Sequence, residues 1–347
     1  MSSSSAETQI ALGVIASGPD AYWLERRPDA KHLAGLLAFP GGKCDPDEMP
    51  FAALCRELSE ELGIVVDTAE LLLEMPWVYA EKQPVKRLRL WVFQVTAWHG
   101  EIRGREGQGV LAMPLDCHQR QIWLDALPPA NRGIVAALCL PPQIAISMAC
   151  APGVAGFQQW IQGLTATAHD LVRRFGVGGA LMQLRPGRAL ITSEWQQAVA
   201  TVQELGLPVL VNAELATART VGADGVHLSR ARLAQADQDE LAVWQASGGW
   251  VTAAVHHPAE MGRANEARVD AVLISPVQPT ESHPEMAALG WAEFAALSRT
   301  ATMPTFALGG MTPQHITQVR ASGGQGIAAI RAFWRTPADG ANGENFG

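Results

Sequence analysis

The order of apolar and polar residues divides the chain into two stretches with different rhythms. In the first, Ile10–Ile15 and Ala21–Glu25 read as strands on either side of a Gly-Pro turn, and a loop from Arg26 to Leu37 leads into the turn Phe39-Pro40-Gly41-Gly42. The period then changes. Phe51, Leu54, Leu58 and Leu62 recur at the spacing that keeps one helix face on a core. Pro50 fits the first turn, where its missing N–H costs nothing, and Gly63 fits the left-handed position just past the end, so the predicted helix runs from Pro50 to Leu62. Leu71–Tyr79 and Leu88–Trp98, rich in Leu, Val, Trp and Phe, read as strands of a half-buried sheet. Asn131–Leu140 reads as a closing helix, ended by Pro141-Pro142, since neither proline can extend the hydrogen-bond ladder.

From Ile144 onward short apolar runs alternate with helical stretches: IAIS, ALMQL, PVLVN, GVHL, WVTAAV, AVLIS, PTFAL and GIAAI. Eight β/α units in roughly 195 residues point to a small TIM barrel with its site at the C-terminal ends of the strands. The expected fold class is therefore α/β: an N-terminal α/β/α sandwich over residues 1–140, then a C-terminal (β/α)8 TIM barrel over residues 141–347.

Composition narrows the function without naming it. A chain of 347 residues is long for one ordinary domain and comfortable for two, each large enough to bury a core. Apolar residues make up 48 % of it, yet no run of 18 or more lacks a charge or a breaker, which argues against a membrane span. The opening MSSSSAETQ has no basic segment followed by an apolar one, so it is expected to be a disordered tail and not a signal peptide, and the expected location is cytoplasmic. Cys44, Cys55, Cys117, Cys139 and Cys150 are odd in number and lack CxxC spacing, which argues against a disulfide framework or a zinc site and leaves buried or idle thiols. A formal net charge of −8 offers no broad footprint for duplex nucleic acid, so the expected partners are small phosphorylated substrates.

The candidate chemistry concentrates in Gly42–Ile64. At about 100° per residue, Glu57 and Glu61 lie one turn apart with Glu60 beside them, so the carboxylates crowd one edge, held outward by the apolar face. A solvated acidic face is the ordinary reading of such a helix. A bare acidic edge beside a Gly-rich turn is also what a hard cation shared with substrate phosphates requires. Position by position, Gly42, Glu48, Arg56, Glu57, Leu58, Glu60, Glu61, Gly63 and Ile64 fill the pattern G-x5-E-x7-R-E-U-x-E-E-x-G-U, where U is apolar. A chance match in a chain this long is on the order of 10⁻⁷. The stretch resembles the signature of Nudix hydrolases. That resemblance implies Glu57, Glu60 and Glu61 as ligands of Mg2+, with Mn2+ as a substitute, and Arg56 with Glu48 as a brace of loop against helix. It also makes the Gly41 carbonyl a candidate for metal contact and the Lys43 ammonium one for phosphate.

The flanks ERRPDAKHLAG, GREGQG and LPPAN sharpen the resemblance, over about residues 8–138, toward the MutT-like 8-oxo-dGTP diphosphatases. They imply Arg27, Phe39, Tyr79 and Asn131 around the base and Glu106 as a further metal ligand or general base. An amide can both donate to and accept from a purine edge, and aromatic rings offer apolar faces; core packing for Phe39 and Tyr79, and a turn or cap for Asn131, stay open beside those roles. This chain departs from the group at Ala38, where an acid is frequent, and at Tyr79-Ala80, where an aromatic-Pro pair is frequent.

GADGVHL, SPVQPT and ALGGMTPQHI make the second half resemble thiamine phosphate synthase and its relative TenI. The resemblance implies a phosphate cradle of Gly309, Gly310 and the amides around Ile330 and Arg331, although Gly-Gly also reads as a plain tight turn. Much of the synthase chemistry is absent. Arg185-Pro186-Gly187 replaces an Arg-x-Lys pair, Asn212-Ala213 an Asn-Asp pair, and Ser229-Arg230-Ala231-Arg232 the stretch with a second metal-holding Asp; Pro276 stands where the TenI histidine belongs. His227 and His256 read as bases or as hydrogen-bonded structural residues, and Arg185, Arg188, Arg230 and Arg232 as phosphate clamps or solvent-facing charges.

The expectation from these resemblances is a Mg2+-dependent hydrolase taking nucleoside triphosphates, 8-oxo-dGTP foremost, to the monophosphate and diphosphate, joined to a barrel without synthase activity. The rivals are a Nudix hydrolase of a thiamine-pathway diphosphate, a bifunctional thiamine phosphate synthase, and a regulatory protein whose barrel senses a metabolite.

Overall fold

The computed structural model of the chain describes residues 7–27, 35–280 and 287–336. Contacts divide it into two units, Met1–Cys139 with Ser298–Pro304, and Leu140–Leu297 with Thr305–Gly347.

In the first unit the strands are β1 (Thr8–Gly18), β2 (Ala21–Arg26), β3 (Leu37–Ala38), β4 (Gly41–Lys43), β5 (Val65–Tyr79), β6 (Lys86–His99) and β7 (Val110–Pro114). They form one sheet of order β3-β2-β1-β6-β5, with β4 also on β1 and β7 also on β2. β1 runs parallel to β6 and antiparallel to β2 and β4. Its side chains sort by the period of two that a strand imposes. Ala11 and Ile15 face one layer with Phe93 and Val95, whereas Leu12 and Val14 face the other with Leu88, Leu90 and Val92.

Helix α1 (Pro50–Leu62) covers the first face through Ala53, Leu54, Leu58 and Leu62. Gly13 has no side chain to keep Leu54 and Leu58 off the sheet. Helices α2 (Gln121–Ala126) and α3 (Arg132–Cys139) cover the second face, where Trp123, Ile134 and Val135 are buried. The result is the expected sandwich. α1 starts with Pro50 and stops at Gly63, whose φ of 74° no β-branched residue would take easily, and Ile64 N–H donates back to Leu58 O at 3.4 Å.

Several expectations need correction. Phe51 is not on the core face: it is 42 % exposed and meets Phe93 edge-on at 5.9 Å, because α1 turns Ala53 and not Phe51 onto β1. β5 starts at Val65 and not Leu71, since Val65–Glu70 pairs with Gln94–His99 although most of its side chains are exposed. Cys117 and Cys139 are not idle thiols; they form a disulfide with Cα atoms 5.4 Å apart, across the segment that carries α2 and α3.

In the second unit β8 (Gln143–Ile146), β9 (Leu181–Leu184), β10 (Val209–Val211), β11 (Gly225–Leu228), β12 (Trp250–Val255), β13 (Ala271–Ile274), β14 (Thr305–Leu308) and β15 (Gly326–Ala329) close a parallel barrel in sequence order. Their side chains are buried along the whole run, as in strands covered on both faces. The N-terminal rim is pinned by carboxylates: Asp224 accepts from Val209 N–H at 2.8 Å and Asp270 from Val251 N–H at 2.9 Å. Helices fill each interval from β8 to β15, but the described chain after β15 holds only a turn, so the expected eight β/α units become eight strands and seven helical crossovers among the described residues. No helix among those residues is long and apolar enough to cross a membrane.

Leu58 is fully buried between α1 and β1, so Leu58→Ala is expected to cost about 2–5 kcal/mol through lost burial and a residual cavity. Urea unfolding followed in the first domain measures this, and a cost below about 0.5 kcal/mol would contradict the packing described.

Candidate active site

Three elements build the acidic site: β4, the loop from Cys44 to Met49, and α1. β4 is fixed first. It pairs with β1 from Ile10 to Leu12, and Gly13 N–H donates to Pro40 O at 2.8 Å just before it. Gly41, at φ 129°, lies so close to Ala11 O that a side chain has no room. Against this platform α1 lays its carboxylates. The Glu57 carboxylate sits on Gly42, in space that a Cβ at Gly42 would fill. One turn on, Glu61 Oε2 accepts from Gly41 N–H at 2.9 Å.

Arg56 binds the parts together. Its guanidinium donates to both Glu48 oxygens at 3.0 and 2.9 Å, to Glu57 Oε1 at 2.8 Å, to Glu60 Oε2 at 3.3 Å and to the Lys43 carbonyl at 3.0 Å. The paired bond to Glu48 is the strong, geometry-setting kind for a planar guanidinium. Glu48 in turn accepts from Asp45 N–H at 2.9 Å, so one cation fixes the loop, the strand end and the helix. Hydrogen bonding by Arg56, then by the Asp45 amide, holds the Glu48 carboxyl below the usual range, while Glu48 and then Glu57 push the Arg56 guanidinium further up.

The edge is therefore not uniformly outward, as the spacing alone implied. Glu61 is buried at 4 % exposure and the Glu57 side chain is 16 % exposed; only Glu60, at 54 %, stands in solvent. The reason is that β4 closes over α1 on the side where Glu57 and Glu61 emerge. Among the described residues no three His, Cys, Asp or Glu side chains stand ready-grouped around a metal position, because Arg56 lies between Glu57 and Glu60. The donors nonetheless fit a hard divalent cation: they are oxygens alone, and Gly42 leaves a cradle for the Glu57 carboxylate.

The remaining predicted site residues fall at varied distances from this edge. Glu106 is exposed on a loop tied to the end of α1, where Arg105 N–H and Gln108 Nε2 donate to Glu61 O at 2.9 and 3.1 Å. Lys43 is exposed, and its backbone carbonyl accepts from Arg56. Arg27 extends β2, its N–H donating to Leu36 O at 2.9 Å, within electrostatic reach of Tyr79. Burial pushes the Tyr79 phenol up, against the pull of Arg27. Asn131 is buried at the start of α3. Phe39 is 1 % exposed and packs on Trp123 at 6.0 Å, which places it in the core behind any base and not as an open stacking face. Residues 28–34 of the expected flank lie outside the described residues.

Sequence reading missed Lys86. It faces Tyr79 across the β5–β6 ladder, and burial, then Lys43, Arg27 and Lys82, lower its pKa. A basic rim thus borders the Tyr79 side of the sheet. The only signal for it was the register of two strands, which spacing along one strand does not show.

In the barrel, Gly309, Gly310, Ile330 and Arg331 line one cavity of ≈ 200 Å³. On the opposite side of the mouth the carboxylates are engaged. Arg232 donates from Nε to Glu214 at 2.7 Å and from Nη1 to Asn212 Oδ1 at 2.9 Å. Arg188 is forked onto Glu194 at 3.1 and 2.8 Å, and Arg230 lies 2.9 Å from the buried Glu260. His227 is buried, with Nδ1 2.9 Å from Thr252 Oγ1; burial first, then Arg185, Arg232 and His256, lower its pKa to about 3. Neutral at ordinary pH, it is a structural histidine bonded to Thr252. His256 Nδ1 donates to Ser275 O at 2.6 Å.

The first unit thus carries carboxylates braced by an arginine against a glycine turn, and the second is a closed barrel of eight parallel strands. The chain belongs to two families, Nudix through its first half and thiamine monophosphate synthase through its second. A NUDIX domain model matches residues 7–137 and a thiamine monophosphate synthase model residues 161–333. The 8-oxo-dGTP diphosphatase of Escherichia coli (strain K12) is 35 % identical over 130 residues, which cover 38 % of this chain and 95 % of that protein. The thiamine-phosphate synthase of Laribacter hongkongensis is 32 % identical over 161 residues, 45 % of this chain and 74 % of that protein. Among solved structures, a thiamine phosphate pyrophosphorylase from Pyrococcus furiosus is similar at 19 % identity and a TM-score of 0.42, covering 59 % of this chain and 89 % of that one. By its Nudix membership the protein is a hydrolase acting on phosphorus anhydrides.

Because the Glu48 pKa is lowered on folding, its contribution to stability is fully present above the unfolded carboxylate value and is lost as pH falls through the lowered folded value. Glu48→Gln is therefore expected to flatten the acid limb of first-domain stability below about pH 4.5. Thermal melts of both proteins from pH 7 to pH 3 check this; parallel curves would show that Arg56 does not depend on the Glu48 charge.

Proposed function

We propose that the first domain hydrolyses nucleoside triphosphates, 8-oxo-dGTP foremost, to the nucleoside monophosphate and diphosphate, with Mg2+ as cofactor and Mn2+ as a substitute. The observation that carries this reading is the seating of Glu57 on Gly42 and of Glu61 on Gly41, which holds the acidic side chains against the glycine turn. The identity to a protein named 8-oxo-dGTP diphosphatase supports the substrate class.

Glu57, Glu60, Glu61, Glu106 and the Gly41 carbonyl are the residues to hold Mg2+, which when bound offsets charge gathering on phosphoryl oxygens. Arg56 and Glu48 keep the helix edge in register with β4. Lys43 presents an ammonium to a phosphate oxygen beside that turn. Glu106, exposed on its tethered loop, either completes that ligand set or takes the proton of the attacking water. Arg27, Tyr79 and Asn131 hold the nucleoside, with Phe39 packed behind them. A nucleotide-pool substrate makes the cytoplasm the site of action.

For the barrel we infer no synthase activity, since Arg232 occupies the oxygens of Asn212 and Glu214 and Ala213 brings none. Expression of the full chain in a synthase-deficient bacterial strain is expected to give no growth without thiamine, and growth would make the protein bifunctional.

The hydrolase reading is tested with purified protein and Mg2+ against the four dNTPs, 8-oxo-dGTP, and thiamine and pyrimidine diphosphates, measuring phosphate and pyrophosphate separately. Pyrophosphate release fastest from 8-oxo-dGTP is expected. Glu57→Gln should lower turnover by about two orders of magnitude or more, the scale of losing one charge-stabilising group. Phosphate release from a thiamine-pathway diphosphate as the fastest reaction would instead establish the rival substrate.

A further inference from the structure

The synthase fold implies a divalent cation at the barrel mouth, and the residues present do not fit one. Arg185 follows β9, Asn212 and Glu214 follow β10, Arg232 follows β11 and His256 follows β12, and these four strands are consecutive in the barrel. A hard cation is held through one or two carboxylates, and of the residues just named only Glu214 brings one. Asn212 Oδ1 and Glu214 Oε1 are both taken by one guanidinium, at 2.9 and 2.7 Å. Apart from the second oxygen of the exposed Glu214, the groups left over are donors. With Oδ1 fixed as the acceptor for Arg232, the amide nitrogen of Asn212 is free to donate. Arg185 is exposed and ion-pairs with no carboxylate among the described residues. Arg185 and Arg232 follow β9 and β11, the two neighbours of β10, at the same end of the barrel as the buried His227.

We propose that Arg232 is a tethered cation standing in for the metal ion, and that with Arg185 and Asn212 it forms a metal-independent site for a diphosphate anion at the barrel mouth. The second guanidinium nitrogen of Arg232 and the fork of Arg185 supply paired donors to phosphate oxygens, a match that an ammonium cannot reproduce. Glu214, holding Nε from the outside, sets the plane of the Arg232 fork. The site makes no bond and breaks none; it replaces an exchangeable ion with a covalently held charge. The proposal rests on the reading that the barrel holds no cation, and is independent of the hydrolase reading.

The test is isothermal titration of the full-length protein with inorganic pyrophosphate in excess EDTA, which removes any contribution from a metal-loaded first domain. Saturable binding is expected in EDTA, tighter than for inorganic phosphate. Arg232→Ala and Arg185→Gln should each weaken it at least about tenfold, the scale of losing hydrogen bonds to a charged group, and Arg232→Lys should recover only part. A circular-dichroism melt checks that each variant is folded; Arg185, with its exposed side chain, keeps the test available if Arg232→Ala does not fold. Absence of binding in EDTA, equal affinity for phosphate, or either variant within twofold of wild type would overturn the proposal. Thiamine phosphate formation by the full chain would overturn the no-synthase reading, whereas EDTA-resistant, arginine-dependent binding alongside it would leave the tethered-cation site standing.

Discussion

One guanidinium holds the first domain's site in place. Arg56 faces Glu48, Glu57, Glu60 and the Lys43 carbonyl at once, so the loop before α1, the end of β4 and the acidic edge are positioned by a single charge. Without it, carboxylates one turn apart on a helix repel and the edge spreads. A surface ion pair is commonly worth little, but a network with a forked contact and short distances is the exception. The cation also prepares a surplus of negative charge for a second cation to join, because one arginine does not neutralise Glu48, Glu57, Glu60 and Glu61. What a divalent ion meets is thus an edge already shaped, with Glu57 and Glu61 seated on Gly42 and Gly41.

The barrel uses arginine in the opposite sense. There Arg232 engages the oxygens on which a metal would depend, and the surplus around it is of donors. The same residue type therefore supports cation chemistry in one domain and replaces it in the other. The difference lies in the count of hydrogen-bonded carboxylates: three against Arg56, one against Arg232.

Much of the fold was legible because it rests on local periodicity. Pro50 and Gly63 bounded α1 correctly, and the eight apolar runs from IAIS to GIAAI are the barrel strands. The spacing of Glu57, Glu60 and Glu61 placed them on one edge, but which of them faces water depends on β4, a three-residue strand with no pattern of its own. Phe51 misled for a related reason: at the first turn of α1 the helix face and the sheet edge no longer coincide. The Cys117–Cys139 disulfide joins residues 22 apart with no spacing signature, so only the packing of α2 and α3 brings them together. Lys86 entered through strand register, and the partners of Arg232 through the alignment of two barrel strands.

The central claim, that the fit of Glu57 onto Gly42 sets the reactive geometry, is tested most directly by Gly42→Ala. The added methyl meets the end of the flexible Glu57 side chain, so the carboxylate must move while the backbone need not. Mg2+-dependent hydrolysis of 8-oxo-dGTP is predicted to fall about 100-fold, the scale of a 1 Å misplacement, with the thermal melt of the first domain shifted by no more than a few degrees. Turnover within about threefold of wild type, in a variant that binds Mg2+ as before, would contradict the account.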